Sequence, residues 1–143
     1  MATITAANST MTLVIRSVFP APQQLQGYAT DDIFSAEAVA PVETMMGVDG
    51  ILSAGYVSTP KVITLAFQAD SPSNAIFENW QAAQDVLKEV IVGDLLVTLP
   101  SVGRLYTCVR AFMTGFPPLP DGRRTLQPRR YVLTAQSIIS API

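Results

Sequence analysis

The side chains that usually carry catalysis are scarce in this chain. In 143 residues there is no histidine and a single cysteine, Cys108. That removes Ser-His-Asp and Cys-His nucleophile activation in their usual form, and with them the ordinary zinc sites. Cys108 stands between Thr107 and Val109 in a β-rich run, where apolar packing is expected rather than reactivity. Asp31 and Asp32 are adjacent and could join a calcium site, but no further ligands follow at a helpful spacing. A solvated turn is the expected reading. Gly47-Val48-Asp49-Gly50 is too short for a phosphate loop and leads into a strand, not a helix. Paired carboxylates are the one catalytic device left, and no pair stands out. The chain is therefore expected not to be an enzyme and to need no cofactor or metal.

The charges that are present are unevenly placed. Residues 1–103 hold ten carboxylates against Arg16, Lys61 and Lys88, a net of −7. Residues 104–143 hold six arginines against Asp121, a net of +5. Such a chain can neutralise itself within one fold or pair head to tail with copies of itself. Arg123, Arg124, Arg129 and Arg130 flank the segment TLQP. Arginine pairs can hold phosphates without reading sequence, yet a pI near 4.9 is wrong for a dedicated nucleic-acid binder. Salt bridges between subunits are the expected role of these four. Only 14% of residues are charged while 49% are apolar, against roughly 25% charged in an average soluble domain. Either the surface is rich in uncharged polar groups, or much of it is covered by other subunits. Extensive oligomer contact is expected, since obligate interfaces resemble a domain core cut in half.

The elements that must position these groups read as one mainly β domain spanning residues 1–143. Residues 11–18 form a first strand, and 19–30, with two prolines and a glycine, a loop. Residues 33–40 read as a strand that breaks at Pro41, which has no N–H for a ladder. Gly47, Asp49 and Gly50 make a turn. Strands at 51–58 and 61–68 follow, the second with Ile63, Leu65 and Phe67 on its core face. A helix opens at Ser71 or Ser73 as N-cap and runs to about residue 92, ended by Gly93. Its apolar stripe is Ile76, Trp80, Ala83, Leu87 and residue 90 or 91. Strands at 95–99, 104–114 and 130–140 complete the chain, around a proline-rich loop at 115–122. Without strand–helix alternation, the expected fold is two packed antiparallel sheets, a sandwich or barrel, with one flanking helix. No stretch is apolar enough for a membrane helix, and the start lacks the pattern of a secretory signal. A cytoplasmic setting is expected.

Residues 47–80, GVDGILSAGYVSTPKVITLAFQADSPSNAIFENW, carry a specific order: a DG turn, a strand, a threonine-bearing strand, then a helix opening at SPSN. That order resembles the bacteriophage tail tube protein family, especially in contractile-tailed phages. The resemblance implies a subunit of hexameric rings stacked into a hollow tube, with long hairpins joined edge to edge as an inner barrel. It implies a tape-measure protein in the lumen, a tail sheath outside, and baseplate and tail-terminator proteins at the ends. DNA would pass through without specific binding, and no membrane partner is expected. The protein would reside in the virion tail after assembly in the host cytoplasm. Acids facing the lumen or a ring-stacking contact would come from Asp31, Asp32, Glu37, Glu43 and Asp49. The type VI secretion tube protein shares this fold and is one alternative. A soluble β-barrel binding a small apolar ligand is another.

Overall fold

The computed structural model describes residues 3–16, 18–29 and 33–143. Among them nine strands and one helix follow in the order β1 (Thr10–Ile15), β2 (Phe19–Gln24), β3 (Phe34–Ala36), β4 (Val42–Met46), β5 (Leu52–Tyr56), β6 (Lys61–Phe67), α1 (Asn74–Leu87), β7 (Gly93–Leu99), β8 (Arg104–Gly115) and β9 (Arg129–Pro142). Seven strands form one antiparallel sheet in the order β2-β1-β7-β8-β9-β6-β3, and β4 pairs with β5 as a second, two-stranded sheet. Among the described residues the fold is mainly β, with two antiparallel sheets, one helix and no closed barrel.

Alternation builds the core. In β1, Met11, Leu13 and Ile15 are buried, and in β9, Tyr131, Leu133 and Ala135 are buried, each set one residue in two. Ile63, Leu65 and Phe67 point inward from β6, as the period-2 pattern predicts. Phe77 and Trp80 descend from α1 into the same cluster. Between β7 and β8 the register shifts, with Gly93 opposite Ala111 and Leu95 opposite Cys108. Arg110 takes a positive φ of 51° there, and its N–H donates to the Asp94 carboxylate at 3.1 Å. Such a bulge bends and twists a long sheet, here along the 12-residue β8.

Residues 19–24 depart from the loop expectation and form β2. Pro20 and Pro22 are tolerated because β2 is the outermost strand, where a missing N–H breaks no inner ladder. The strand expected over 33–40 shrinks to three residues, because the chain leaves the sheet after Ala36. The helix also ends early, at Leu87 rather than near 92. Lys88 adopts the left-handed conformation and its N–H returns to the Gln84 carbonyl, so Gly93 opens β7 instead of capping α1. Leu87 is accordingly 60% exposed and off the core face, as is Val90. The buried face runs through Phe77 and Trp80, with Ile76 and Ala83 packed at its margin.

Ser71 and Ser73 were expected to cap the helix by side chain. Ser73 stands at the N-cap, yet its hydroxyl makes no cap bond and instead accepts the Gln26 N–H at 2.6 Å. Ser71 donates to the Gln26 carbonyl and accepts the Ser73 N–H. Gly27, at φ +71°, leaves room for this pairing, since a Cβ there would lie 2.5 Å from the Ser71 hydroxyl oxygen. Asn74 completes the tie by donating to the Gln68 and Ala69 carbonyls and accepting from the Tyr131 hydroxyl at 2.9 Å. The SPSN segment thus pins the start of the helix to the sheet. Burial pushes the Tyr131 phenol up to about 12 and the Cys108 thiol up to about 11. Both groups favour their neutral forms when folded, so stability is full below about pH 9 and falls as pH rises from about 9 to about 12. Urea melts across that range should show the decline, and Tyr131→Phe should flatten its upper part; an unchanged profile in the variant would reject the assignment to Tyr131.

Candidate functional site

From Ser35 to Tyr56 every residue is exposed. The segment leaves the body after β3, forms the β4–β5 hairpin and rejoins at β6 as a projecting arm. Three hydrogen bonds hold its turn. Gly47 N–H donates to the Ile51 carbonyl, Gly50 N–H to the Gly47 carbonyl, and the Asp49 carboxylate accepts the Ile51 N–H at 3.1 Å. Gly50 has φ +85°, a conformation that side-chain-bearing residues seldom adopt.

The register sets what each face of the arm presents. Val42 lies opposite Tyr56, Thr44 opposite Ala54 and Met46 opposite Leu52. Directly paired residues share a face, so Val42, Tyr56, Met46 and Leu52 form one apolar strip, 51–78% exposed. The other face carries Glu43 opposite Gly55 and Met45 opposite Ser53. A lone two-stranded hairpin is marginally stable in water and needs a further layer over its apolar side. No part of the same chain supplies that layer among the described residues. The strip was readable in sequence, because the period-2 rule that finds the core face of β6 also finds it in 42–46 and 52–56.

The candidate acids divide by position. Glu43 is on the arm opposite the apolar strip, Asp49 is in its tip, and Glu37 is at its base, where its N–H donates to the Val62 carbonyl. Asp31 and Asp32 lie outside the described residues. Residues 33–60 contain Glu37, Glu43 and Asp49 and no lysine or arginine. The arm is purely acidic.

The four arginines do not act alike. Arg129 is 4% exposed and belongs to its own chain's interior, which corrects its expected inter-subunit role. It donates to Glu78 of α1 and to the Pro117 carbonyl, each at 2.7 Å, and its guanidinium lies 5.4 Å from the Tyr131 ring centre. A buried guanidinium needs such partners; here they fasten helix, sheet and the base of loop 116–128. The loop tip closes by Gln127 N–H to the Asp121 carbonyl and Arg123 N–H to the Thr125 carbonyl. Arg123 and Arg124 are exposed on that tip, with Leu119 and Leu126, and Arg130 is exposed beyond it.

Chemically active groups are sparse at these positions. Among the described residues no group of His, Cys, Asp and Glu could hold a metal ion, and no helix is long and apolar enough to cross a membrane. An apolar cleft of about 390 Å³ opens between β3–β6 and β7–β8, lined by Phe34, Ile63, Val97, Leu99, Tyr106 and Cys108 among others. Cys108 is 2% exposed there.

No curated protein matches the sequence. Several solved structures share the fold. A chain in the cryo-EM structure of the anti-feeding prophage tube-terminating cap aligns with TM-score 0.63 at 15% identity, covering 100% of this chain and 93% of that one. A chain in the sheath/tube terminator of an extracellular contractile injection system, PVC, aligns with TM-score 0.63 at 14% identity, covering 99% and 98%. A chain in the anti-feeding prophage baseplate aligns with TM-score 0.61 at 12% identity, covering 99% and 98%. The family model described as tail fiber protein gp32 matches residues 2–139, nearly the whole sequence. With that match, the chain belongs to the tail fiber protein gp32 family and is a structural component of a phage-like tail.

Proposed function

We propose that this protein is a tube subunit of a contractile tail, assembled as rings of identical copies that stack into a hollow conduit. The observation that carries this reading is the arm, a projecting hairpin with an apolar strip that its own chain leaves uncovered. Burial of apolar area drives association, and strand-to-strand closure of a ring removes exposed sheet edges. A fold shared over nearly full length with chains of tube-terminating and sheath–tube assemblies supports the same reading. Six copies per ring is the number that the sequence resemblance implies, and one structural neighbour was solved with six-fold symmetry applied.

In such a tube the acidic face of the arm turns to the lumen while the apolar strip packs on neighbouring copies. Glu43, with Glu37, then repels phosphate, so DNA passes without sticking, because nucleic-acid affinity grows with each phosphate neutralised. The role is passive and non-catalytic. A tape-measure protein would fill the lumen during assembly, a sheath would surround the tube, and baseplate and terminator proteins would close its ends. The setting is the virion tail, assembled in the host cytoplasm. A type VI secretion-like tube is the nearest alternative; neighbouring genes for a sheath and a tape measure separate the two. The apolar cleft favours the other alternative, a small-ligand β-fold, which saturable binding of an apolar dye by a monomer would support.

Negative-stain microscopy of the purified chain tests the proposal. Hollow rings or tubes are expected, and a monodisperse monomer at high concentration would sink it. Within an assembling tail, the double variant Glu37→Lys/Glu43→Lys is expected to form tails of normal length that eject DNA poorly. Normal infectivity of that variant would remove the lumen assignment of these two acids.

A further inference from the structure

An acidic and a basic segment are rooted at opposite ends of strand β6. At one end Lys61 pairs with Ala135 and Ala36 pairs with Ile63, and there the acidic arm leaves the body. At the other end Phe67 pairs with Arg129, the residue that anchors loop 116–128. Six residue steps of about 3.3 Å separate these ends by roughly 20 Å, so the arm and the loop are rooted at opposite ends of the strand.

Their surfaces are complementary in two respects. The arm carries three carboxylates and no cation, while loop 116–128 carries Arg123 and Arg124 against Asp121. Both also present uncovered aliphatic side chains: Met45, Met46, Ile51 and Leu52 near the arm tip, and Leu119 and Leu126 on the loop. The base of the loop is rigid, held by the Arg129 bonds to Glu78 and the Pro117 carbonyl, so its tip can be recognised without being ordered first.

We propose that the arm tip of one copy seats on the 116–128 loop of the next copy along the assembly axis, with Arg123 and Arg124 meeting the Asp49 carboxylate. Two different patches of one chain make a heterologous contact, which propagates rather than closing as a dimer. The contact orients every copy the same way, so the tube is polar. It rests on the tube reading and names the surface that joins successive rings.

The test uses the purified full chain and compares wild type, R123E/R124E, D49R, and D49R combined with R123E/R124E. Each reversal alone is expected to raise the protein concentration needed for elongation at least tenfold and leave single rings. The combined reversal is expected to restore elongation at least in part. The exposed positions of Arg123 and Arg124 keep the fold intact, which an unchanged melting curve checks. As a second readout, D49C and R124C chains mixed under oxidation should yield an intermolecular disulfide in tubes but not in dispersed subunits. Normal elongation of R123E/R124E, or no cross-link in wild-type-like tubes, overturns the contact while leaving the tube reading intact. Failure of the wild-type chain to form any ring or tube overturns both.

Discussion

Met46→Asp combined with Leu52→Asp is expected to yield a folded subunit that no longer assembles. The two residues face each other across the hairpin and are 63% and 57% exposed, so neither supports the core of its own chain. Each substitution at an exposed site usually changes stability by less than about 0.5 kcal/mol, and the melting temperature of the double variant should move by no more than about 4 °C. Assembly is another matter. Burying a Met or Leu side chain contributes roughly 1.5–3 kcal/mol, so losing both removes about 3–6 kcal/mol from each arm's docking. Two carboxylates forced into the same interface cost several kcal/mol more unless they find partners. At about 1.4 kcal/mol per tenfold, association falls by well over a hundredfold. Sedimentation velocity and negative-stain microscopy on wild type and variant would show it, and rings or tubes from the double variant at wild-type concentration would refute the role given to the strip.

Trp80→Ala should have the opposite signature, unfolding the subunit before assembly is in question. Trp80 is fully buried, lies against Phe77 at 6.5 Å between ring centres, and donates its indole N–H to the Ile91 carbonyl at 3.0 Å. That bond holds the tight return from α1 to β7, where the Ile91 N–H also donates to the Gln84 side chain. Truncating a buried Trp costs about 3–5 kcal/mol, against a total stability of only about 5–15 kcal/mol for a domain. The melting temperature should fall by more than about 10 °C. Trp80→Phe keeps most of the volume but loses the donor, and is expected to cost about 1–3 kcal/mol. Near-UV circular dichroism and thermal melts would test both, and a wild-type melting temperature for Trp80→Ala would remove Trp80 from the core.

Where one side of a segment is buried against the chain's own core, pattern and structure coincide. Ile63, Leu65 and Phe67 of β6 obey the two-residue period because the pleat forces alternate side chains to opposite faces. Segment 19–24 reads as a loop yet forms a strand, because proline is excluded only from inner strands, and edge position is a property of sheet order rather than of local sequence. Leu87 falls on the helical stripe but off the core, because the stripe continues past the point where Lys88 turns the chain and its N–H bonds to the Gln84 carbonyl. The serines of SPSN read as helix caps in isolation. Only the approach of Gln26, some forty-five residues earlier, turns their hydroxyls toward another loop.

The arginines divide for the same reason. Arg123, Arg124 and Arg129 are chemically alike, yet Phe116, Tyr131, Pro117 and Glu78 converge on Arg129 alone and bury it. By itself the sequence determined that the chain lacks histidine, that it is mainly β with one helix, that its charge is scarce and polarised, and that residues 47–80 follow a tail-protein order. These properties are local or additive, and composition and periodicity carry them. The tertiary structure alone decided that the apolar strip of Val42, Tyr56, Met46 and Leu52 stands uncovered and that acidic arm and basic loop leave opposite ends of β6. Exposure and direction depend on which distant segments meet, and no single stretch of chain specifies that.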